Sequence, residues 1–210
     1  MKPVLSLILA LAAIGTLRAQ SPRWGLSFNL GHPLGKFNQT TYAPTDDVLV
    51  QQFEGYDIGV GGQLTLSFPL QRSLAFRVGL GLMSTEGDNT ASGYQTIYLR
   101  HTMFSISGEM QLFLGDAYQH SGTYFIAGIS SDSERFERSF DDYWDYWPDY
   151  QTTRKNRLGG TLGIGHSFYG MTGLKFTTEI SYHATLTGKD PLRGDPHATD
   201  FLKISFGFVF

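Results

Sequence analysis

The chain has 210 residues, of which 41% are hydrophobic, 14% aromatic and 17% charged, with 25 glycines, no cysteine and a formal charge of −3. That length suits one domain, the aromatic content excludes a disordered chain, and the slightly acidic balance excludes a general nucleic-acid binder. The absence of cysteine excludes disulfides, thiolate metal sites, Cys nucleophiles and lipid-modified Cys.

Met1-Lys2 gives a positive start, Val4 to Leu17 is mostly apolar, and Arg18-Ala19-Gln20 places a small residue at a plausible cleavage position. Residues 1–19 therefore read as a secretory signal peptide, too short in its apolar run for a membrane-spanning helix, with the folded domain expected over 20–210. Removing 1–19 takes two cations and no acids, which moves the formal charge from −3 to −5. No later segment has an apolar run long enough to cross a membrane as a helix.

From Trp24 onward the apolar residues recur with period two, the mark of β-strands. Trp24, Leu26, Phe28 and Leu30 open the series. Over 56–68, Tyr56, Ile58, Val60, Leu64, Leu66 and Phe68 alternate with small or polar residues. The pattern returns over 74–83, 104–114, 123–129, 158–168, 174–183 and 202–210, giving eight strands. The connections run long (32–55), short (69–73), medium (85–95), shorter (115–122), longest (131–157), tight (169–173) and long (184–199). Long loops at one end and short turns at the other are expected of an up-and-down meander whose ends face different surroundings.

Which face is the core? The polar face is rich in glycine and serine and carries isolated charges, Asp57, Arg77, Glu109, Lys175, Glu179 and Lys203, three acids and three bases. A soluble surface would carry many more Lys and Glu, whereas a cramped lumen must balance its charges. The apolar alternations span roughly 9–13 residues, close to the length a tilted strand needs to cross a bilayer. Aromatics gather at strand ends, with Trp24, Phe68, Phe76, Phe168, Tyr169 and Phe176 near the short turns and Tyr56 and Tyr182 near the long loops, as interfacial girdles do. The expected fold is all-β, an eight-stranded antiparallel up-and-down transmembrane β-barrel.

The chain ends in Ile204-Ser205-Phe206-Gly207-Phe208-Val209-Phe210. This segment resembles the last strand of bacterial outer-membrane β-barrels, and with the strand count and leader the pattern is similar to the small OmpA-like and OmpX-like barrels. The resemblance implies a location in the cell outer membrane of a Gram-negative bacterium, contact with its lipid and lipopolysaccharide, and a barrel assembly machinery as partner. Phe206, Phe208 and Phe210 would be the assembly signal. No peptidoglycan-binding domain is expected after the eighth strand.

An eight-stranded barrel has room for little beyond its own side chains, so a wide pore is not expected and activity should lie in the loops or at the lipid-facing rim. The longest loop carries Phe136, Phe140, Tyr143, Trp144, Tyr146, Trp147 and Tyr150 among acids and flanking cations. Two readings fit: an exposed contact patch for an extracellular protein or glycan, or a hairpin above the membrane with the aromatics paired across strands. Asp141, Asp142, Asp145 and Asp149 lack EF-hand spacing, so no metal or other cofactor is expected. Enzymatic barrels of this size, the lipid A deacylases and palmitoyltransferases, need a Ser-His-acid or similar set at the rim. His166 and Ser167 point to opposite faces, whereas His183 shares a face with Glu179 and Ser181; a place in a hydrogen-bond network is the reading preferred for it, and no catalytic residue is assigned. The expectation is a monomeric, non-enzymatic surface or envelope-structural protein, with a lipid-modifying enzyme and a narrow channel as alternatives. Glu179 is expected near Lys203.

Overall fold

The computed structural model describes residues 22–34, 41–42, 51–52, 57–91, 95–142, 149–169, 174–187 and 200–210. The expected leader at 1–19 lies outside them, as do Tyr56, Tyr143, Trp144, Tyr146 and Trp147. The described strands are β1 (Arg23–Pro33), β2 (Thr41–Tyr42), β3 (Gln51–Gln52), β4 (Gly59–Gln71), β5 (Leu74–Ala91), β6 (Gln95–Phe113), β7 (Gly122–Asp142), β8 (Asp149–Tyr169), β9 (Lys175–Thr185) and β10 (Phe201–Val209). Eight of them close an antiparallel barrel in the order β1-β10-β9-β8-β7-β6-β5-β4. Closure comes from β1, which pairs with β10 on one side (Phe28 opposite Phe206) and with β4 on the other (Leu26 opposite Leu64). Every ladder is thereby completed, as a bilayer demands of strands that find no hydrogen bonds in lipid. β2 and β3 pair only with each other.

The eight expected strands are all present, but four of them run further than the alternation indicates. β5, β6, β7 and β8 continue well beyond the others at the loop end, paired out to Ala91 opposite Gln95, Gln95 opposite Asp142 and Phe140 opposite Asp149. The segments read as loops at 85–95 and 131–157 are thus largely a four-stranded ribbon rising from one side of the barrel. The apolar alternation weakens here because Asp132, Glu134 and Arg157 face inward while Ser133, Arg135 and Arg154 face outward, and the ladder hydrogen bonds continue without it.

The barrel is inverted relative to a soluble one. Its exposed large side chains are apolar, among them Leu26, Ile58, Val60, Leu82, Phe104, Leu112, Leu162, Ile180 and Phe206, with Leu162 64% exposed. Polar and charged side chains point inward and are buried, including Gln63, Arg77, Glu109, Gln111, Asp132, Glu134, Arg157, Glu179 and His183. An apolar belt that encircles the molecule is far larger than the patches water-soluble monomers carry. At the short-turn end the belt is edged by rings: Trp24 and Tyr169 are exposed, Phe168 stacks on Phe176 at 5.7 Å, and Phe176 meets Phe208 at 5.0 Å.

Candidate functional site

The lumen is filled in layers, each built from the inward alternation of several strands. At the turn end the connection between β6 and β7 folds into the mouth. Ala117 and His120 are buried there. His120 sits at φ 49°, shares a hydrogen bond of 2.9 Å with Ser167 Oγ, and packs against the rings of Phe113 and Tyr124. Cations from three other parts of the chain tie the connection down: Arg23 donates to the Tyr118 carbonyl, Lys175 to the Gln119 carbonyl, and Arg72 pairs with Asp116 at 3.6 Å. Burial lowers the pKa of His120 to about 4, with Arg77 adding to the effect and Glu179 opposing it.

Above this plug lies the central charge cluster. Arg77 on β5 donates through Nε to Glu109 Oε2 at 2.6 Å, its direct cross-strand partner on β6. It also donates through Nη1 and, at 3.0 Å, through Nη2 to both oxygens of Glu179 on β9. In the ring of eight strands, β9 and β5 are diametrically opposite, so this bidentate pair crosses the lumen. Tyr124 on β7 donates to Glu179 Oε1 at 2.7 Å. The ring of Tyr124 needs the space beside Gly165, where a Cβ would come within 2.5 Å of it.

Next comes a cavity of about 30 Å³ bordered by Gln63, Ser107, Glu109, Thr161, His183 and Lys203, room for about one or two water molecules. At its upper edge His183 bridges Asp132 Oδ2 (3.1 Å) and Thr161 Oγ1 (3.2 Å), while Ser130 donates to the same Asp132 oxygen at 3.1 Å. Gly159 makes this cluster possible, because a Cβ there would fall within 2.5 Å of Asp132, His183 and Ser130. Higher still, Arg157 pairs with Glu134 at 3.0 Å and lies over the Phe136 ring. His101 stands between two rings, 4.5 Å from Phe136 and 5.9 Å from Phe201. His101 and Phe201 also come from opposite strands, β6 and β10, so these rings cover the lumen toward the loops.

The predicted residues distribute as follows. Of the six expected lumen charges, Arg77, Glu109 and Glu179 meet in one cluster, and Lys203 lines the cavity beside them. Glu179 faces Ser205 in register and takes Arg77, not Lys203, as its ion-pair partner. Asp57 is exposed at the loop end, where its N–H donates to Glu86 O and its carbonyl accepts from Thr85. It precedes the first residue of β4, so the strand alternation does not govern its side chain. Lys175 is at the turn end over the Tyr169 ring. Of the aromatic patch, Phe136 is buried inside the barrel rather than presented outward, because it follows the even-numbered inward alternation of β7. Phe140 and Tyr150 lie on the paired hairpin strands of β7 and β8, opposite Asp149 and Ser139. Phe206 and Phe208 are exposed in the belt, and Phe210 pairs through its backbone with Trp24. His183 makes its hydrogen bonds to β7 and β8 rather than to Glu179 or Ser181 on its own strand. Sequence reasoning misses the inward placement of Asp132, Glu134, Arg157 and His101; the Glu134-x-Phe136 alternation is the signal that could have found it.

A closed, wholly antiparallel eight-stranded barrel with a plugged polar interior and an apolar exterior has the architecture of the bacterial outer-membrane β-barrels. A solved structure agrees at the level of fold. The chain is similar to a major outer membrane protein from Thermus thermophilus, with a TM-score of 0.54, 11% identity, and coverage of 91% of this chain and 100% of that one. It also matches Ail, the attachment invasion locus protein of Yersinia pestis, with a TM-score of 0.47, 10% identity, and coverage of 90% and 97%. Neisserial surface protein A aligns with a TM-score of 0.43 and 12% identity over 90% of this chain and 94% of that one. Neither a protein-family model nor a curated protein sequence matches the chain.

Proposed function

We propose that this chain is an integral, monomeric protein of the bacterial outer membrane that conducts nothing, catalyses nothing within its barrel, and acts through the ribbon and loops that rise above the membrane. The observation that carries this reading is the filled lumen. Among the described residues, the cavity between the plug at His120 and the rings at His101 and Phe201 measures about 30 Å³, whereas barrels that conduct have many more strands. The same filling bears on the enzyme alternative. Asp132, His183 and Thr161 form an acid–His–hydroxyl chain, the arrangement that activates a nucleophile. They are buried inside the cylinder, where no lipid substrate can reach them, so their role here is to join β7, β8 and β9. The ribbon is the part left free to meet other molecules, and the sequence between β7 and β8 (143–148) holds two of the chain's three tryptophans. An extracellular protein or glycan is the partner such a surface suits. Phe206, Phe208 and Phe210 serve as the assembly signal.

Replacing residues 143–148 with a short Gly-Ser turn tests the contact role. Binding of intact cells to matrix proteins and glycan arrays should fall to background while the barrel still folds. Unchanged binding would count against the ribbon as the acting surface. In planar bilayers the wild-type chain should give no discrete conductance steps.

A further inference from the structure

The lipid-facing side of β6–β9 is not uniform. Adjacent strands place Gly108, Ala127, Gly160 and Ala184 near one another, since Gly108 is opposite Ile129, Ala127 opposite Met110 and Leu162, and Gly160 opposite both Ile129 and Ala184. The small residues leave a groove of about 500 Å³ in the outer wall, lined almost wholly by carbon and flanked by Met110, Ile129, Leu162, Tyr182 and Leu186. That is about the volume of one fatty-acyl chain reaching through its leaflet.

A second feature stands on the same two strands above the groove. Arg135 on β7 is directly opposite Arg154 on β8, and both point outward and are exposed. Like charges at opposed positions repel. Glu137 engages Arg135, and Glu86 engages Arg100 one register step further up. Arg154 has no ion pair among the described residues. Between groove and arginines stand the buried Ser131, the half-buried Leu158 and the exposed pair Ser133 and Asn156, which are opposite each other. Six residues separate Gly160 from Arg154, roughly 20 Å along the strand. Going up the wall, the surface is therefore a carbon-lined groove, a hydroxyl and amide step, and a pair of arginines. That sequence matches an amphiphile with an acyl chain, a polar linking group and a phosphate.

We infer that the outward face of β6–β9 holds one anionic lipid of the outer leaflet, with an acyl chain in the Gly108–Ala127–Gly160–Ala184 groove and a phosphate between Arg135 and Arg154. The inference rests on the outer-membrane reading and is independent of what residues 143–148 bind. Two lipids share this chemistry, a phosphorylated glycolipid and an anionic phospholipid; the exposed Ser133 hydroxyl and Asn156 amide favour the first, whose sugar can hydrogen-bond to both.

The test uses the full chain in phosphatidylcholine nanodiscs doped with bis-phosphorylated lipid A, with lipid A stripped of phosphate, or with phosphatidylglycerol, followed by native mass spectrometry of the lipid retained on release. One bis-phosphorylated lipid A per barrel is expected. Retention should fall roughly thirtyfold for the stripped lipid or the Arg135→Gln/Arg154→Gln double variant, the combined effect of two cations at an anionic surface. Ala127→Phe, which fills the groove from the lipid side, should lower retention with the arginines intact. Equal retention of phosphatidylglycerol, sensitive to both changes, would keep the site and assign it to a phospholipid. Retention of the stripped lipid as strong as that of the phosphorylated one, or indifference to Ala127→Phe, would overturn the proposal. The stripped-lipid arm uses wild-type protein, so it stands even where a variant fails to fold. Failure of the wild type to enter nanodiscs would instead refute the membrane reading.

Discussion

Arg77→Met is the substitution that most sharply probes how the barrel interior is held. Arg77 is buried and is the shared partner of Glu109 and Glu179, contributing Nε and both terminal nitrogens to the two carboxylates. Methionine nearly preserves the volume but removes every one of those donors. Two buried carboxylates then face each other with the Tyr124 hydroxyl still donating to one of them. Removing one partner of a buried ion pair costs about 3–5 kcal/mol, mostly because the other charge is left uncompensated. Because Arg77 serves two carboxylates, the loss should fall at the upper end of that range. The triple variant Arg77→Met/Glu109→Gln/Glu179→Gln removes the stranded charges and should recover most of the loss. Urea unfolding of the barrel in lipid vesicles, followed by tryptophan fluorescence, reads both numbers. A loss below about 1 kcal/mol for Arg77→Met, or a triple variant no better than the single one, would refute the argument that this cluster supports the closed barrel.

Three further predictions concern the plug, the wall and the last strand. His120 has its pKa lowered to about 4, so its neutral form belongs to the folded state, whereas the unfolded state takes up a proton near 6.5. Stability from this group is therefore complete above about pH 6.5 and is lost as pH falls toward 4, at about 1.4 kcal/mol per pH unit. Asn at 120 tolerates the positive φ and should flatten that part of the stability–pH curve; an unchanged slope would contradict it. Gly165→Ala forces a methyl against the Tyr124 ring, which is enclosed by Phe113 and His120. It should lower barrel stability by about 1–3 kcal/mol, visible as a drop in the temperature at which the folded gel band is lost. Phe210→Ser should reduce insertion in cells while refolding of purified chain into detergent stays near wild type, because the backbone pairing of Phe210 with Trp24 does not need the ring.

The spanning part of the fold was legible because lipid on one side and a polar lumen on the other impose opposite demands on successive residues. Leu162-Gly163-Ile164 shows this as plainly as any segment. The ribbon was not legible for the converse reason. Around Ser131-Asp132-Ser133-Glu134-Arg135, inward and outward residues are both polar, and the period-two signal vanishes although the ladder continues. The identity of the lumen charges Arg77, Glu109 and Glu179 followed from alternation, but their pairing did not. Glu179 lies near Lys203 as expected, since Lys203 stands opposite Ser181, the next inward residue along β9, but proximity on adjacent strands does not choose the ion-pair partner. The actual partner comes from the strand directly across the cylinder, and only closure of the ring brings it there. Asp57 shows the limit at strand ends: alternation carries no information outside the ladder.

The account depends most on which side of the wall meets lipid. The sequence contains no cysteine, so single cysteines can be introduced along β8 at Asn156, Leu162 and Ile164, all exposed, and labelled with a nitroxide in reconstituted vesicles. Labels at 162 and 164 should be relaxed by oxygen, which concentrates in the bilayer, and not by a water-soluble nickel chelate, while a label at 156, on the polar ribbon above the belt, should respond to nickel. If 162 and 164 respond to nickel rather than oxygen, their side chains meet water, and the inverted barrel described above is wrong.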